Sequence, residues 1–280
     1  MMAKGLASFL FESTSVVKVS LGAIKGSSPR EAGASLYVSP EGMHGTIGGG
    51  QLEYIAIDEA RRMLARGNTD KQMAVPLGPE IGQCCGGAVT LTFAFMDETL
   101  KIEEIAEEQR REEARPHVYI FGAGHVGRAL ARALHLLPVR PIIVDSRAGE
   151  LALVDVPVEQ RLSALPEAEI RTAPPESAYL ILTHDHALDF LLAREALGRE
   201  DATYVGMIGS KSKLGTFSHW LKRQEPSLAA RHLESLVCPI GAHDMVRDKR
   251  PEVIAAMVAA ELLTVLLPAK RSEVAEPELF

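Results

Sequence analysis

The sequence predicts an α/β protein: a parallel-sheet domain in its C-terminal part, preceded by a smaller α+β domain. Three observations predict this. From residue 117 onward, short apolar strand-like segments alternate with helical ones, the pattern of βαβ units. Within that stretch Val118-Tyr119-Ile120-Phe121 runs straight into Gly122-Ala123-Gly124-His125-Val126-Gly127, a full G-x-G-x-x-G opening a helix. Before it, residues 97–115 (DETLKIEEIAEEQRREEAR) are dense in both charge signs, with Ile102 and Ile105 the main apolar marks and Pro116 at the end. Such a stretch reads as a solvated helix or linker joining two halves. The expected division is therefore 1–96, a charged linker or helix at 97–115, a Rossmann-like domain at 116–268, and a polar tail at 269–280.

The N-terminal residues MMAKGLASFLFESTSVVKVSLG predict a helix followed by a strand; they lack the small-residue cleavage pattern of a signal peptide. Ala34–Val38 predicts a strand and Ser39-Pro40-Glu41-Gly42 a turn. After Gly48-Gly49-Gly50 the apolar positions Leu52, Ile55, Ala56, Ala60, Met63 and Leu64 recur at helical spacing, until Gly67-Asn68 stops the helix. Ala88–Met96 (AVTLTFAFM) has strand composition. In the second half, strands are expected at His117–Gly122, Pro141–Asp145, Ala178–Thr183, Thr203–Ile208 and Leu236–Cys238. The last helix should run from Pro251 to about Leu267.

Composition narrows the function classes. Hydrophobic residues make up 46% and charged residues 24%, as in an ordinary globular protein. The net charge of −7 and an acidic isoelectric point near 5.8 argue against a nucleic-acid partner. No run approaches the roughly 18 consecutive apolar residues of a membrane span, so no membrane partner is expected. Three cysteines, an odd number, suit a reducing cytoplasm and not disulfide stapling.

Two of those cysteines are adjacent, in Gly82-Gln83-Cys84-Cys85-Gly86-Gly87. Neighbouring side chains on one strand face opposite ways, so both thiols cannot enter one core from one strand. The flanking glycines suit a loop that a ligand approaches closely. Soft-metal ligation or sulfur chemistry is the functional reading; a tight strand-to-strand corner with small apolar cysteines is the structural one. In the same half, Arg30 follows Gly26-Ser27-Ser28-Pro29 and can grip a phosphate through two donors. Gly48, Gly49 and Gly50 lead into a helix start suited to an anion, where Glu53 is otherwise explained by the helix dipole.

In the second half, Gly122 permits the tight turn, Gly124 lets a pyrophosphate near the backbone, and Gly127 packs helix on strand. Asp145 ends the next strand 23 positions after Gly122, where a carboxylate takes a ribose hydroxyl. His125 is placed to crowd the phosphates. Ala178–Thr183 ends in His184-Asp185-His186, with Asp189 beyond; His184 is read as a ligand contact and Asp185 as a helix cap. Ser210, in Gly209-Ser210-Lys211-Ser212-Lys213, opens another candidate anion cradle, unless these lysines are plain surface charge.

The motifs SSPREAGASLYV, GTIGGGQLE, LGPEIGQCCGG, YIFGAGHVGRALA, ILTHDHALD, YVGMIGSKSK, and CPIG with KRPEVIAA stand here in order. A chain with these motifs resembles the XdhC/CoxI family of xanthine dehydrogenase accessory proteins over nearly its whole length. The resemblance implies a chaperone that binds the molybdenum cofactor (molybdopterin) as cargo. It implies that a cysteine desulfurase supplies the terminal sulfur, that apo xanthine dehydrogenase receives the product, and that no metabolite is turned over. It assigns metal contact or sulfur acceptance to Cys84 or Cys85, ligand contact to Arg30 and Gly48–Gly50, and a phosphate cradle to Gly122–Gly127. A homodimer would be unsurprising. The rival readings are an NAD(P)-dependent oxidoreductase built on Gly122, Gly124, Gly127 and Asp145, and a nucleotide-sensing Rossmann module. Against the first, no separate catalytic domain follows the Rossmann half and the first half lacks an obvious proton donor; the second leaves Cys84, Cys85 and the triple glycine unused.

Overall fold

The computed structural model describes residues 5–26, 28, 30–67, 71–78, 87–241, 246 and 248–267. The chain divides into two compact units, Met1–Glu113 and Ala114–Phe280. No helix among the described residues is long and apolar enough to cross a membrane.

The first unit is built from α1 (Leu6–Glu12), β1 (Val17–Lys25), β2 (Ser35–Val38), β3 (Met43–Gly45), α2 (Gly50–Arg66), β4 (Lys71–Leu77), β5 (Gly87–Phe95) and α3 (Glu98–Glu113). The five strands form one antiparallel sheet in the order β3-β2-β1-β5-β4. Alternation drives the burial: Val17, Val19 and Leu21 of β1 and Val89, Leu91 and Phe93 of β5 all turn to one face. Leu52, Ala56, Ala60 and Met63 of α2 fill the same core. Gly67 then ends α2 in the left-handed conformation.

The charged helix α3 is part of this unit. Lys101 is buried, donating to the Ser13 carbonyl at 3.1 Å and to Glu98 at 2.9 Å. Glu104 accepts from Lys18 at 2.5 Å and from the Tyr37 hydroxyl at 2.6 Å. Its charges thus meet partners on the unit's own strands, which a charge count along the sequence does not show.

The second unit runs β6 (His117–Phe121), α4 (His125–His135), β7 (Arg140–Asp145), α5 (Ala148–Leu151), β8 (Glu159–Leu162), α6 (Pro166–Thr172), β9 (Ala178–Ile181), α7 (His186–Leu197), β10 (Tyr204–Met207), α8 (Lys211–Gln224), α9 (Ala229–Ser235), β11 (Leu236–Val237) and α10 (Pro251–Leu266). Its six strands are parallel, in the order β11-β10-β9-β6-β7-β8. Fully buried strands read as continuous apolar runs, as Ala178–Ile181 and Tyr204–Met207 do. Separate apolar clusters cover the two faces of the sheet, one containing Leu130, Leu134, Val258 and Leu262, the other Phe190, Leu192, Phe217 and Leu221. The strand order reverses between β6 and β9, and a crevice outside the carboxyl ends at such a reversal is where open parallel sheets bind ligands.

Candidate functional site

At the carboxyl edge of the parallel sheet the three glycines of the β6–α4 turn have distinct duties. A Cβ on Gly122, whose φ is +118°, would lie 2.4 Å from the Leu182 carbonyl oxygen, so the turn passes against the neighbouring strand. A Cβ on Gly127 would lie 1.8 Å from the Gly122 carbonyl oxygen. Gly124 instead faces open space, with nothing within 4 Å of an added Cβ. Gly124 is also the N-cap of α4, and among the described residues no side chain caps that helix. The first N–H groups of α4 therefore lack a side-chain acceptor at the point where the backbone is most open, the arrangement that receives an anion. His125 is exposed at the first helical position.

The crevice beside this turn is lined by Gly122, Asp145, Ser146, Pro166, Thr183 and His184. The strand order thus brings Gly122, Asp145 and His184 to one crevice. Asp145, however, is not available for a ribose. It is 6% exposed; one carboxylate oxygen accepts from the Ala123 N–H at 2.7 Å and from Arg147 Nη2 at 2.8 Å. The other accepts from the Arg147 N–H and Nε, both at 2.9 Å. Burial pushes its pKa up, but the Arg147 guanidinium and the two backbone N–H groups outweigh burial and hold the carboxyl below its usual range. Asp145 thus pins the glycine turn to β7. The signal for this was Arg147, two residues away and unread.

His184 is exposed at the crevice, and Asp185 caps α7 by accepting from the Ala187 N–H at 2.8 Å. Asp189 is fully buried: one oxygen accepts from the Thr183 N–H at 2.9 Å and from its hydroxyl at 2.7 Å, and the other pairs with Lys213. Lys213 also donates to the Ile208 carbonyl at 2.9 Å. It is therefore a buried tie between the turns that follow β9 and β10, not surface charge and not a free cation for a ligand. Ser210 caps α8, accepting from the Lys213 N–H at 3.2 Å, so its side chain serves the helix. Cys238 sits half-buried beside this tie. Burial pushes its thiol pKa up against the lowering pull of Lys213, and Asp189 raises it further, which disfavours the thiolate. Among the described residues no cluster of three or more His, Cys, Asp or Glu side chains is arranged to hold a metal ion.

In the first unit, the turn before α2 closes around its own carboxylate. Gly48, Gly49 and Gly50 have φ of +127°, +78° and +64°, which directs successive N–H groups inward. One oxygen of Glu53 accepts from the N–H groups of Ile47 (2.9 Å), Gly48 (3.3 Å) and Gly49 (2.9 Å), and from the Thr46 hydroxyl. Burial raises the Glu53 pKa, but these four donors prevail and lower it. In this conformation the N–H groups of Gly48 and Gly49, expected as ligand contacts, face Glu53. Arg30 is exposed. Cys84 and Cys85, the proposed sulfur and metal residues, lie outside the described residues.

Two family models match the chain, one described as the XdhC Rossmann domain over residues 118–262 and one as the XdhC and CoxI family over residues 12–74. "Uncharacterized protein YqeB" of Escherichia coli (strain K12) is 27% identical over 248 residues, covering 86% of this chain and 42% of that protein. The chain thus spans less than half the length of this curated relative. A crystal structure of a xanthine dehydrogenase from Bacillus halodurans superposes with a TM-score of 0.79, covering 96% of this chain and 97% of the other at 17% identity; it shares the fold.

Proposed function

The chain belongs to the XdhC and CoxI family, and from that premise we propose that it is an accessory protein that carries the molybdenum cofactor. It binds molybdopterin as cargo, keeps it accessible while a cysteine desulfurase supplies the terminal sulfur, and delivers it to apo xanthine dehydrogenase. One observation carries this reading over its rivals. The crevice at Gly122 keeps the features that receive a phosphate, an open Gly124 and an α4 start without a side-chain cap, while the carboxylate that would hold a ribose, Asp145, is closed by Arg147. Molybdopterin has a phosphate and no ribose, whereas an NAD site of this kind uses both contacts.

In this reading the N–H groups at the start of α4 bind the phosphate, and exposed His125 and His184 contact the polar edges of the pterin. Cys84 or Cys85 handles the sulfur, since a thiolate is the soft ligand molybdenum favours. The raised pKa of Cys238 supports leaving that role to the adjacent pair. The molybdenum supplies the redox chemistry only once it sits in the receiving enzyme. The test is anaerobic purification after co-expression with the cofactor pathway, followed by oxidation to the fluorescent pterin and quantification per chain. Near-stoichiometric pterin that falls in Cys84→Ala/Cys85→Ala upholds the proposal. Background pterin together with measurable NADH binding overturns it in favour of a nucleotide-binding module.

A further inference from the structure

We propose that Arg147 is a specificity-determining residue of the Gly122 crevice: its guanidinium takes the two acceptor positions that a ribose diol would use, and so excludes ribonucleotides. The identity of the crevice's own ligand rests on the cofactor reading, but the exclusion belongs to the Asp145–Arg147 pair and is tested without the cofactor.

Among the described residues four donors reach the Asp145 carboxylate, two on each oxygen. Oδ2 accepts from the Ala123 N–H at 2.7 Å and from Arg147 Nη2 at 2.8 Å. Oδ1 accepts from the Arg147 N–H and Nε, both at 2.9 Å. An ionised carboxylate offers about four acceptor sites, so this one is full. Two of the donors are main-chain groups and stay whatever side chain stands at position 147. The other two lie on one edge of a guanidinium, the fork that matches a carboxylate. Taking that fork away frees one acceptor site on each oxygen, and a ribose 2′,3′-diol brings two hydroxyl donors.

The surroundings are those of a dinucleotide site. Asp145 ends β7 beside the glycine turn, because Phe121 pairs with Val144 and the Gly122 N–H donates to the Val144 carbonyl at 2.8 Å. A carboxylate at that place takes ribose hydroxyls in such sheets, and an arginine nearby can receive a 2′-phosphate. Here the arginine turns its fork onto the carboxylate itself. The rest of the fold makes little use of this side chain. Arg147 stands at the N-cap of α5 without a side-chain capping bond, and its side chain is 36% exposed. Glu150, the other acid that feels its charge, has Arg128 at 2.8 Å.

The test is calorimetric titration of the full chain, made in a host unable to synthesise molybdopterin, with ADP and with 2′-deoxy-ADP, which differ by one hydroxyl. The parent is expected to show no preference between them. Arg147→Ala should bind ADP at least about tenfold more tightly than 2′-deoxy-ADP, since a hydrogen bond to a charged acceptor is gained. Arg147→Lys keeps a cation beside the buried carboxylate while giving up the fork, so it folds even where Arg147→Ala does not, and it should show a preference of the same sign. The proposal is overturned if neither variant prefers ADP, if neither nucleotide binds the variants up to about 10 mM, or if the parent already prefers ADP. It is also overturned if the parent binds adenosine 2′,5′-bisphosphate more tightly than ADP, which would make Arg147 a receiver of phosphate. Pterin content of the parent from a cofactor-making host is read separately, and its absence would remove the cofactor reading while leaving the exclusion of ribose in place.

Discussion

Asp189 and Lys213 are the pair whose removal should cost most, because each is buried against the other. Replacing Lys213 by Met leaves a fully buried carboxylate facing no cation, and breaking such a pair costs about 3–5 kcal/mol. The double variant Lys213→Met/Asp189→Asn leaves no uncompensated charge and is expected to recover most of that loss in urea unfolding. If the double variant is no more stable than the single one, the hydrogen bonds to Thr183 and Ile208 outweigh the charge pairing. Glu53 and Asp145 give a second expectation, in the pH dependence. Both have folded-state pKa values lowered below their unfolded values. Their stabilisation is therefore complete above the unfolded carboxyl range, near pH 4, and is lost as pH falls through the lower folded values. Melting temperature should drop on acidification below about pH 5, and Glu53→Gln should flatten that slope. An identical slope in the variant would mean that Glu53 is not depressed.

At the level of elements, the turn between β6 and α4 makes opposite demands on glycines three residues apart. Gly127→Ala drives a Cβ into the Gly122 carbonyl and should destabilise by about 1–3 kcal/mol through forced backbone movement. Gly124→Ala meets nothing and sits at a φ of −67°, so its melting temperature should match the parent while its pterin content falls. Loss of pterin with unchanged melting is what separates a ligand contact from a packing residue. This turn was legible in the sequence because its chemistry is local: an apolar strand, three spaced glycines, an apolar helical stripe. β8 and β4 were not. β8 is Glu159-Gln160-Arg161-Leu162, a polar edge strand that pairs on one side only and whose one apolar residue, Leu162, is exposed, so no apolar run marks it. β4 carries Pro76, tolerated because β4 is also an edge. The closure of Asp145 by Arg147, the Glu53 plug and the Asp189–Lys213 tie were hidden for a different reason. Each depends on which donor a carboxylate finds in three dimensions, and periodicity carries no information about that choice.

On the scale of the whole molecule, the two units each have a hydrophobic core of their own, one around Leu36, Leu52, Val75 and Phe93, the other divided between the two faces of the parallel sheet. Independent cores imply that each unit can fold alone. The proposed function divides along the same line: the open phosphate-binding turn lies in the second unit, and Cys84 and Cys85 fall in the first. Residues 114–280 expressed alone should therefore unfold cooperatively and co-purify with pterin at reduced occupancy, lost on Gly124→Ala. Residues 1–113 should carry less pterin still. A full-length Cys84→Ala/Cys85→Ala protein that keeps part of its pterin but no longer activates the dehydrogenase would assign binding to one unit and sulfur handling to the other. If instead residues 1–113 hold the pterin and residues 114–280 hold none, the α4 start is not the phosphate site. The anion must then enter the first unit, where it would compete with Glu53 for the N–H groups of Ile47, Gly48 and Gly49.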